Sequence, residues 1–322
     1  MNTSRTLFVV CLTVWGMLVN AQQTKEQYNI PVRYLLSLPD GYSADTTKKW
    51  PVLIFLHGSG ESGEDLDKVK FHGPPKLAEQ GRKFPFIVIS PQANASYGWQ
   101  PEIMQHFLRS IKKDFRVDKE RIYLTGLSMG GYGTWNWASK YPKEFAAIAP
   151  ICGGGDTAEA WKLSKIPVWC FHGGKDNVVV PEESIRMVNA VKQNNPNVRL
   201  TIYPEAGHDS WTETYNNDSL YTWLLQQKRN TFAAIPATAE KLKEYAGSYT
   251  RSGRDTLTLK AVDSKLTAKT GGPDLEVFPS GKDTFFITEG DDQYEIRFFR
   301  NKKGAIEKFV FYGDRTFEFK KM

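Results

Sequence analysis

Ser128 stands in Gly126-Leu127-Ser128-Met129-Gly130, followed by Gly131, between the strand-like run RIYLTG and the helix-like MGGYGTWNWASKY. Packing alone does not ask for this arrangement, because glycine weakens strands and helices alike. A nucleophile elbow does ask for it. There a strand turns sharply into a helix, the serine takes a strained conformation, and flanking side chains must be minimal. The turn lifts the hydroxyl into the open. It also aims the next backbone N–H, that of Met129, at the oxygen that turns negative in acyl transfer. Alone the pentapeptide is a weak signal, expected by chance with a probability of roughly 0.1 in a chain of this composition. Its weight comes from the strand before it, the helix after it and the partners that follow.

A serine hydroxyl is a poor nucleophile until a base takes its proton and a third group orients that base. The chain has five histidines. His57 and His172 each sit in a His-Gly pair at a strand end, His72 lies in a Pro/Gly loop, and His106 is inside a helical pattern ahead of the serine. His208, in LTIYPEAGHDSW, follows a strand and a loop, precedes a helix and comes late in the chain, which makes it the expected base; the alternative is a helix-capping histidine. The acid is expected between the two, on a loop leaving a strand. Asp176 in VWCFHGGKDNVVVPEES meets that description, with Val178 to Val180 expected to shield it; Asp156 is its rival, and Asp209 adjoins the base too closely to face it.

The elements needed to position these groups are legible around them. PVLIFLHG, PFIVISPQ, RIYLTG, FAAIAPIC and IPVWCFHG are near-continuous apolar runs, the pattern of strands covered by helices on both faces. PEIMQHFLRSIKKDF and PEESIRMVNAVKQ open with proline and early acids, as helix N-termini do. Alternating units of this kind predict an α/β fold with a mostly parallel sheet. Beyond the linker the texture becomes period-2 (DTLTLKAV, TFFITEG, QYEIRFFR, KFVFYG, TFEFKK) with turn signals SGKD, EGDD, NKKG and YGDR, which predicts a small antiparallel β domain. The expected division is a signal peptide over 1–21, a catalytic domain over 22–230, a linker over 231–239 and the β domain over 240–322. The first segment reads as a leader because Arg5 precedes the apolar run LFVVCLTVWGMLV, with Ala21 before the cut. That run is shorter than the about 20 apolar residues a spanning helix needs.

A length of 322 residues, 40% hydrophobic and 24% charged, is that of an ordinary globular chain. The formal charge of +6 is spread over scattered Lys and Arg with no basic stripe, which argues against nucleic-acid binding. Export leaves Cys152 and Cys170, each at or near the end of an apolar run and expected to be buried thiols; the cysteines have no metal-ligand spacing. No metal or organic cofactor is expected, nor any membrane association once the leader is removed.

The order Ser128, Asp176, His208, with LIFLHGSGESGED, GLSMGGYGTW, HGGKDNVVVPEES and EAGHDSW, resembles the single-domain esterase branch of the α/β-hydrolases over residues 28–227. That branch includes polyhydroxybutyrate-depolymerase-like proteins, feruloyl and acetylxylan esterases, predicted peptidases and phospholipase/carboxylesterases. The resemblance implies that the HGSGESG loop supplies a second oxyanion N–H, carried onto Ser59, beside that of Met129. It marks Trp211 as a residue that either stacks on a sugar or aromatic acyl group or packs the first turn of the last helix. Trp99 is a further candidate wall, whereas Trp135 and Trp137 are expected in the core. The β domain resembles small domains of unknown function found behind bacterial serine hydrolases, with LKEYAGSYT as the resembling stretch. Only about 16 residues, Ile151 to Ile166, separate the strand after the nucleophile helix from the next, too few for a large lid. The expected function is therefore a secreted or periplasmic serine carboxylesterase with an open site, acting on esters such as feruloyl or acetyl decorations of plant polysaccharide. The competing readings are a secreted serine peptidase of the same fold and a non-catalytic glycan-binding protein.

Overall fold

The computed structural model describes residues 31–322 except 97, 230, 252–254, 270–273, 291 and 314–315. The expected leader lies outside the described residues. Among those described, β1 (Tyr34–Ser37), β2 (Trp50–Leu56), β3 (Ile87–Pro91), β4 (Val117–Leu127), β5 (Ala147–Ile151), β6 (Val168–Gly173) and β7 (Val198–Tyr203) form one sheet in the order β1-β3-β2-β4-β5-β6-β7. β1 runs antiparallel to β3; the other pairings are parallel.

The continuous apolar runs have a simple cause. In β2, Val52, Ile54 and Leu56 face one layer while Leu53 and Phe55 face the other, and all five are buried. The first layer holds α2 (Pro101–Asp114), α3 (Met129–Lys140) and α4 (Glu182–Lys192), through Leu108, Trp135 and Met187. The second holds α1 (Gly73–Glu79), α5 (Trp211–Asn216) and α6 (Asp218–Gln226), through Leu77, Tyr215 and Leu220. Helix α2 has proline and Glu102 in its first turn and Lys112 and Lys113 in its last, matching charge to the helix dipole. Between β5 and β6 the chain makes a single short 3-10 helix, Thr157–Leu163, so no cap is inserted there. No helix among the described residues is long and apolar enough to cross a membrane.

After α7 (Ala239–Lys243), eight antiparallel strands from β8 (Gly247–Arg251) to β15 (Thr316–Lys321) close into a barrel. Its interior is packed with side chains such as Tyr249, Leu266, Phe285, Phe298 and Phe309. β8 is absent from the period-2 pattern because it is short and begins with Gly247 at φ 141°. It nevertheless pairs with the strands on both sides, and that closure leaves the barrel without a free edge. The barrel meets the α/β part through an ion pair of Lys165 with Glu295 at 2.5 Å. Gln293 adds reciprocal hydrogen bonds to the backbone of Phe232 at 2.6 and 3.0 Å.

Candidate active site

β4 ends at Leu127 and α3 begins at Met129, so Ser128 alone makes the turn, at φ 52° and ψ −118°. A non-glycine residue held there is strained, and the surrounding backbone must enforce it. The enforcement is visible. A Cβ on Gly126 would lie 2.3 Å from the Gly130 carbonyl oxygen, and one on Gly130 would lie 2.0 Å from that of Leu56. Only glycines let the strand, the turn and the neighbouring β2 approach so closely. The Ser128 N–H donates to the Ile151 carbonyl at 3.0 Å and approaches Cys152 Sγ at 3.3 Å, which pins the turn against the end of β5.

Ser128 Oγ lies 3.0 Å from His208 Nε2, and His208 Nδ1 lies 2.7 Å from Asp176 Oδ2. Because the carboxylate can only accept, the imidazole hydrogen sits on Nδ1, which leaves Nε2 free to take the serine proton. The other carboxylate oxygen, Oδ1, accepts the N–H groups of Val178 and Val179, each at 2.9 Å. Burial pushes the Asp176 carboxyl up, but the hydrogen bond from His208 and the two backbone donors outweigh it, and the group titrates below the ordinary 3.8. The expectation that Val178 to Val180 shield this acid is corrected here. The side chains of Val178 and Val180 are exposed; the segment's contribution is two N–H groups, while Asp176 itself is only 4% exposed. Asp156 stays apart and caps the 3-10 helix through Ala158, and Asp209 accepts from Thr212 in the first turn of α5.

Sequence reasoning missed a second imidazole on the acid. His172, fully buried on β6, has Nε2 at 2.8 Å from the Val179 carbonyl and 3.3 Å from Asp176 Oδ2. Both are acceptors, so Nε2 carries its hydrogen and clamps the loop and the carboxylate together. Ser184 Oγ on α4 holds the other ring nitrogen at 2.7 Å. The signal was the spacing of His172 and Asp176, four residues apart across a glycine turn.

The loop after β2 lies against the serine: a Cβ on Gly58 would be 3.8 Å from Ser128 Cβ, and Ser59 follows it. His57 anchors this loop from below. Its Nε2 accepts the Ala93 N–H at 2.9 Å, so Nδ1 carries the hydrogen and donates to the Gly58 carbonyl at 2.6 Å. Burial lowers the His57 titration to about 4, only partly opposed by the hydrogen bond to Gly58, and the ring is neutral at ordinary pH. Met129 opens α3, where a helix leaves its first N–H groups without carbonyl partners. Met129 follows the serine directly, and Ser59 opens the 3-10 turn of the loop after β2.

Trp211 sits edge-on to His208 with ring centroids 5.1 Å apart, and its Nε1 donates to His72 Nδ1 at 3.3 Å. It packs the first turn of α5 and walls the base in the same act. His72 Nε2 then faces Glu61 Oε1 at 3.6 Å; Glu61 is a buried acid that the loop motif did not single out. Trp99 is 9% exposed and donates to the His57 carbonyl at 3.0 Å. Trp135 and Trp137 are in the core, and His106 is exposed on α2. Cys152 and Cys170 are buried and unpaired with each other. Cys152, Asp176 and His208 offer ligand atoms within 4.8 Å of one another, but two of these are already joined by a hydrogen bond.

With this geometry in view, known proteins can be compared. The Dienelactone hydrolase family matches residues 96–239, and a domain of unknown function, DUF3471, matches residues 232–322. A bifunctional acetylxylan esterase/xylanase of Neocallimastix patriciarum is 26% identical over 185 residues, 54% of this chain and 26% of that protein. The "Probable feruloyl esterase C" of Aspergillus terreus is 26% identical over 167 residues, 50% of this chain and 61% of that protein. The chain thus spans about a quarter of the first relative and three-fifths of the second. Among solved structures, a thermostable esterase superposes with a TM-score of 0.53 at 31% identity, covering 62% of this chain and 60% of that one. The fold is that of the α/β-hydrolases. The Dienelactone hydrolase match lies within the α/β part, and the DUF3471 match takes in the barrel behind it.

Proposed function

We propose that this protein is a secreted serine carboxylesterase with a catalytic domain over 22–230 and Ser128, His208 and Asp176 as its triad. One observation carries the reading. A strained, glycine-bracketed serine lies at 3.0 Å from an imidazole whose far side is held by a carboxylate at 2.7 Å. The esterase relatives and the 31% identical esterase structure support the reaction class.

In the proposed reaction Ser128 Oγ attacks the ester carbonyl as His208 Nε2 takes its proton. The Ser59 and Met129 N–H groups stabilise the oxyanion, each donor worth about 3 kcal/mol in such sites. Asp176, held ionised by its three hydrogen-bond donors, stabilises the imidazolium. The alcohol leaves with the proton from His208, and water activated by the same nitrogen releases the acid. With no cap between β5 and β6, the site suits esters borne on bulky molecules, and the names of the relatives favour acetyl or feruloyl groups on plant polysaccharide.

The test is a parallel panel of p-nitrophenyl acetate, methyl ferulate and a chromogenic dipeptide amide, with wild type and Ser128→Ala. Ester turnover that falls at least about 10^4-fold in the variant is expected. Turnover of the amide without ester preference would replace this reading with a peptidase. Failure of a fluorophosphonate probe to label Ser128 would leave only a binding role.

A further inference from the structure

The exposed stripe of α3 next to the nucleophile does not face open solvent alone. Met129, Tyr132 and Asn136, at helical spacing, form one wall of a cleft of about 590 Å³. The loop after β5 and the first turns of α4 close its other side with Asp156, Glu183 and Arg186. The floor is shaped by glycine. A Cβ on Gly154 would lie 2.3 Å from Glu183 Oε2 and 3.2 Å from the Tyr132 ring, and one on Gly133 would lie 2.8 Å from Trp99. Glu183 pairs with Arg186 at 3.0 Å along the α4 wall.

The chemistry of this lining discriminates among ligands. An apolar acyl chain would strip water from five polar side chains and return nothing to them. An anion would meet Asp156 and Glu183, and a cation would meet Arg186. A vicinal diol suits all of them at once, since each hydroxyl both donates and accepts, and Asn136 does the same. Tyr132, more than a third exposed, adds an aromatic surface for the C–H face of a ring. The volume lies within the range of ordinary small-ligand sites. Its inner edge is Met129, the residue after the nucleophile, so a ligand here is continuous with one whose carbonyl sits at Ser128.

We infer that this cleft is a subsite for a neutral glycosyl residue of the ester substrate, with Tyr132, Asn136, Asp156, Glu183 and Arg186 as its recognising side chains. The inference rests on the esterase reading above and names the part of the substrate that the triad leaves unspecified.

Two measurements test it. The first is the ratio of kcat/KM for a feruloylated arabinose ester to that for methyl ferulate, in wild type, Tyr132→Ala and Arg186→Gln. Each variant is expected to lower that ratio about tenfold, mainly through KM of the sugar ester, as loss of one or two directed contacts should. The second is titration of unesterified xylotriose into Ser128→Ala by calorimetry, where binding is expected and is expected to weaken in Ser128→Ala/Tyr132→Ala. Both side chains are exposed, so folding is checked simply by an unchanged thermal midpoint. Ratios unchanged in both variants, or no heat with xylotriose, would overturn the subsite while leaving ester hydrolysis intact. Methyl ferulate turnover that survives in Ser128→Ala would instead overturn the esterase reading itself.

Discussion

Acidification should weaken the α/β part through His57. In the folded protein this ring is fully buried and titrates at about 4, against an ordinary 6.5. Its folded value is the lower one, so the unfolded chain binds the proton first. The contribution is whole above 6.5 and drains away as pH falls toward the folded value. Linkage gives a loss of about 2 kcal/mol at pH 5 and about 3 kcal/mol at pH 4 from this one side chain. The structural cost is specific. A proton on Nε2 would face the Ala93 N–H that it now accepts, and that hydrogen bond would be lost. The assay is urea unfolding followed by tryptophan fluorescence. All nine tryptophans precede residue 230, so the barrel is silent. With a slope of about 3 kcal/mol/M for a region this large, the midpoint should fall by about 0.7 M between pH 7 and pH 5 on account of His57. His57→Gln and His57→Asn start less stable but should lack this increment. Equal pH slopes in wild type and both variants would refute the reasoning, because neither the burial nor the tautomer would then carry a proton-linked cost.

Two further outcomes concern His172 and the buried thiols. His172→Phe removes the hydrogen bond to the Val179 carbonyl and the approach to Asp176, so kcat on methyl ferulate should drop about 10- to 100-fold with KM little changed. His172→Gln, which can still donate, should recover part of the loss; a kcat within twofold of wild type in both would show that the two backbone N–H groups hold the acid unaided. Burial pushes both thiols, Cys152 and Cys170, up to about 12. Iodoacetamide at pH 8 should therefore alkylate them at least about 10^3-fold more slowly in the folded protein than in urea, as read by mass spectrometry. Labelling at the unfolded rate would show that the sheet opens freely around β5 and β6.

The fold class was legible because its constraints are written locally. Both faces of the central strands are covered, so β2 and β5 read as unbroken apolar runs, and α2 and α4 announce their starts with proline or early acids. The elbow was legible for a harsher reason. At Gly126 and Gly130 no other residue fits between the backbones, so steric exclusion leaves a signature in one dimension. Gly247 works the opposite way, disguising β8 and with it the closure of the barrel, which depends on pairing with residues 316–321 at the far end of the chain.

The acid's surroundings show where such reading stops. Three apolar residues after Asp176 invite the view that valine side chains exclude water, and a hydrophobic pattern is all the sequence displays there. The folded loop uses the same residues through their N–H groups, which every residue but proline possesses and which therefore leave no compositional trace. What keeps water away comes from elsewhere, including the His172 ring on the strand before and the His208 ring on the loop after β7. A carboxylate surrounded by donors also titrates in the opposite sense from one surrounded by valines. Donors stabilise the anion that the imidazolium needs as its counter-charge, whereas an apolar shield would have favoured the neutral acid and weakened the base. The difference between the two readings of this loop is thus a difference in mechanism, and it lies in backbone direction rather than in side-chain type.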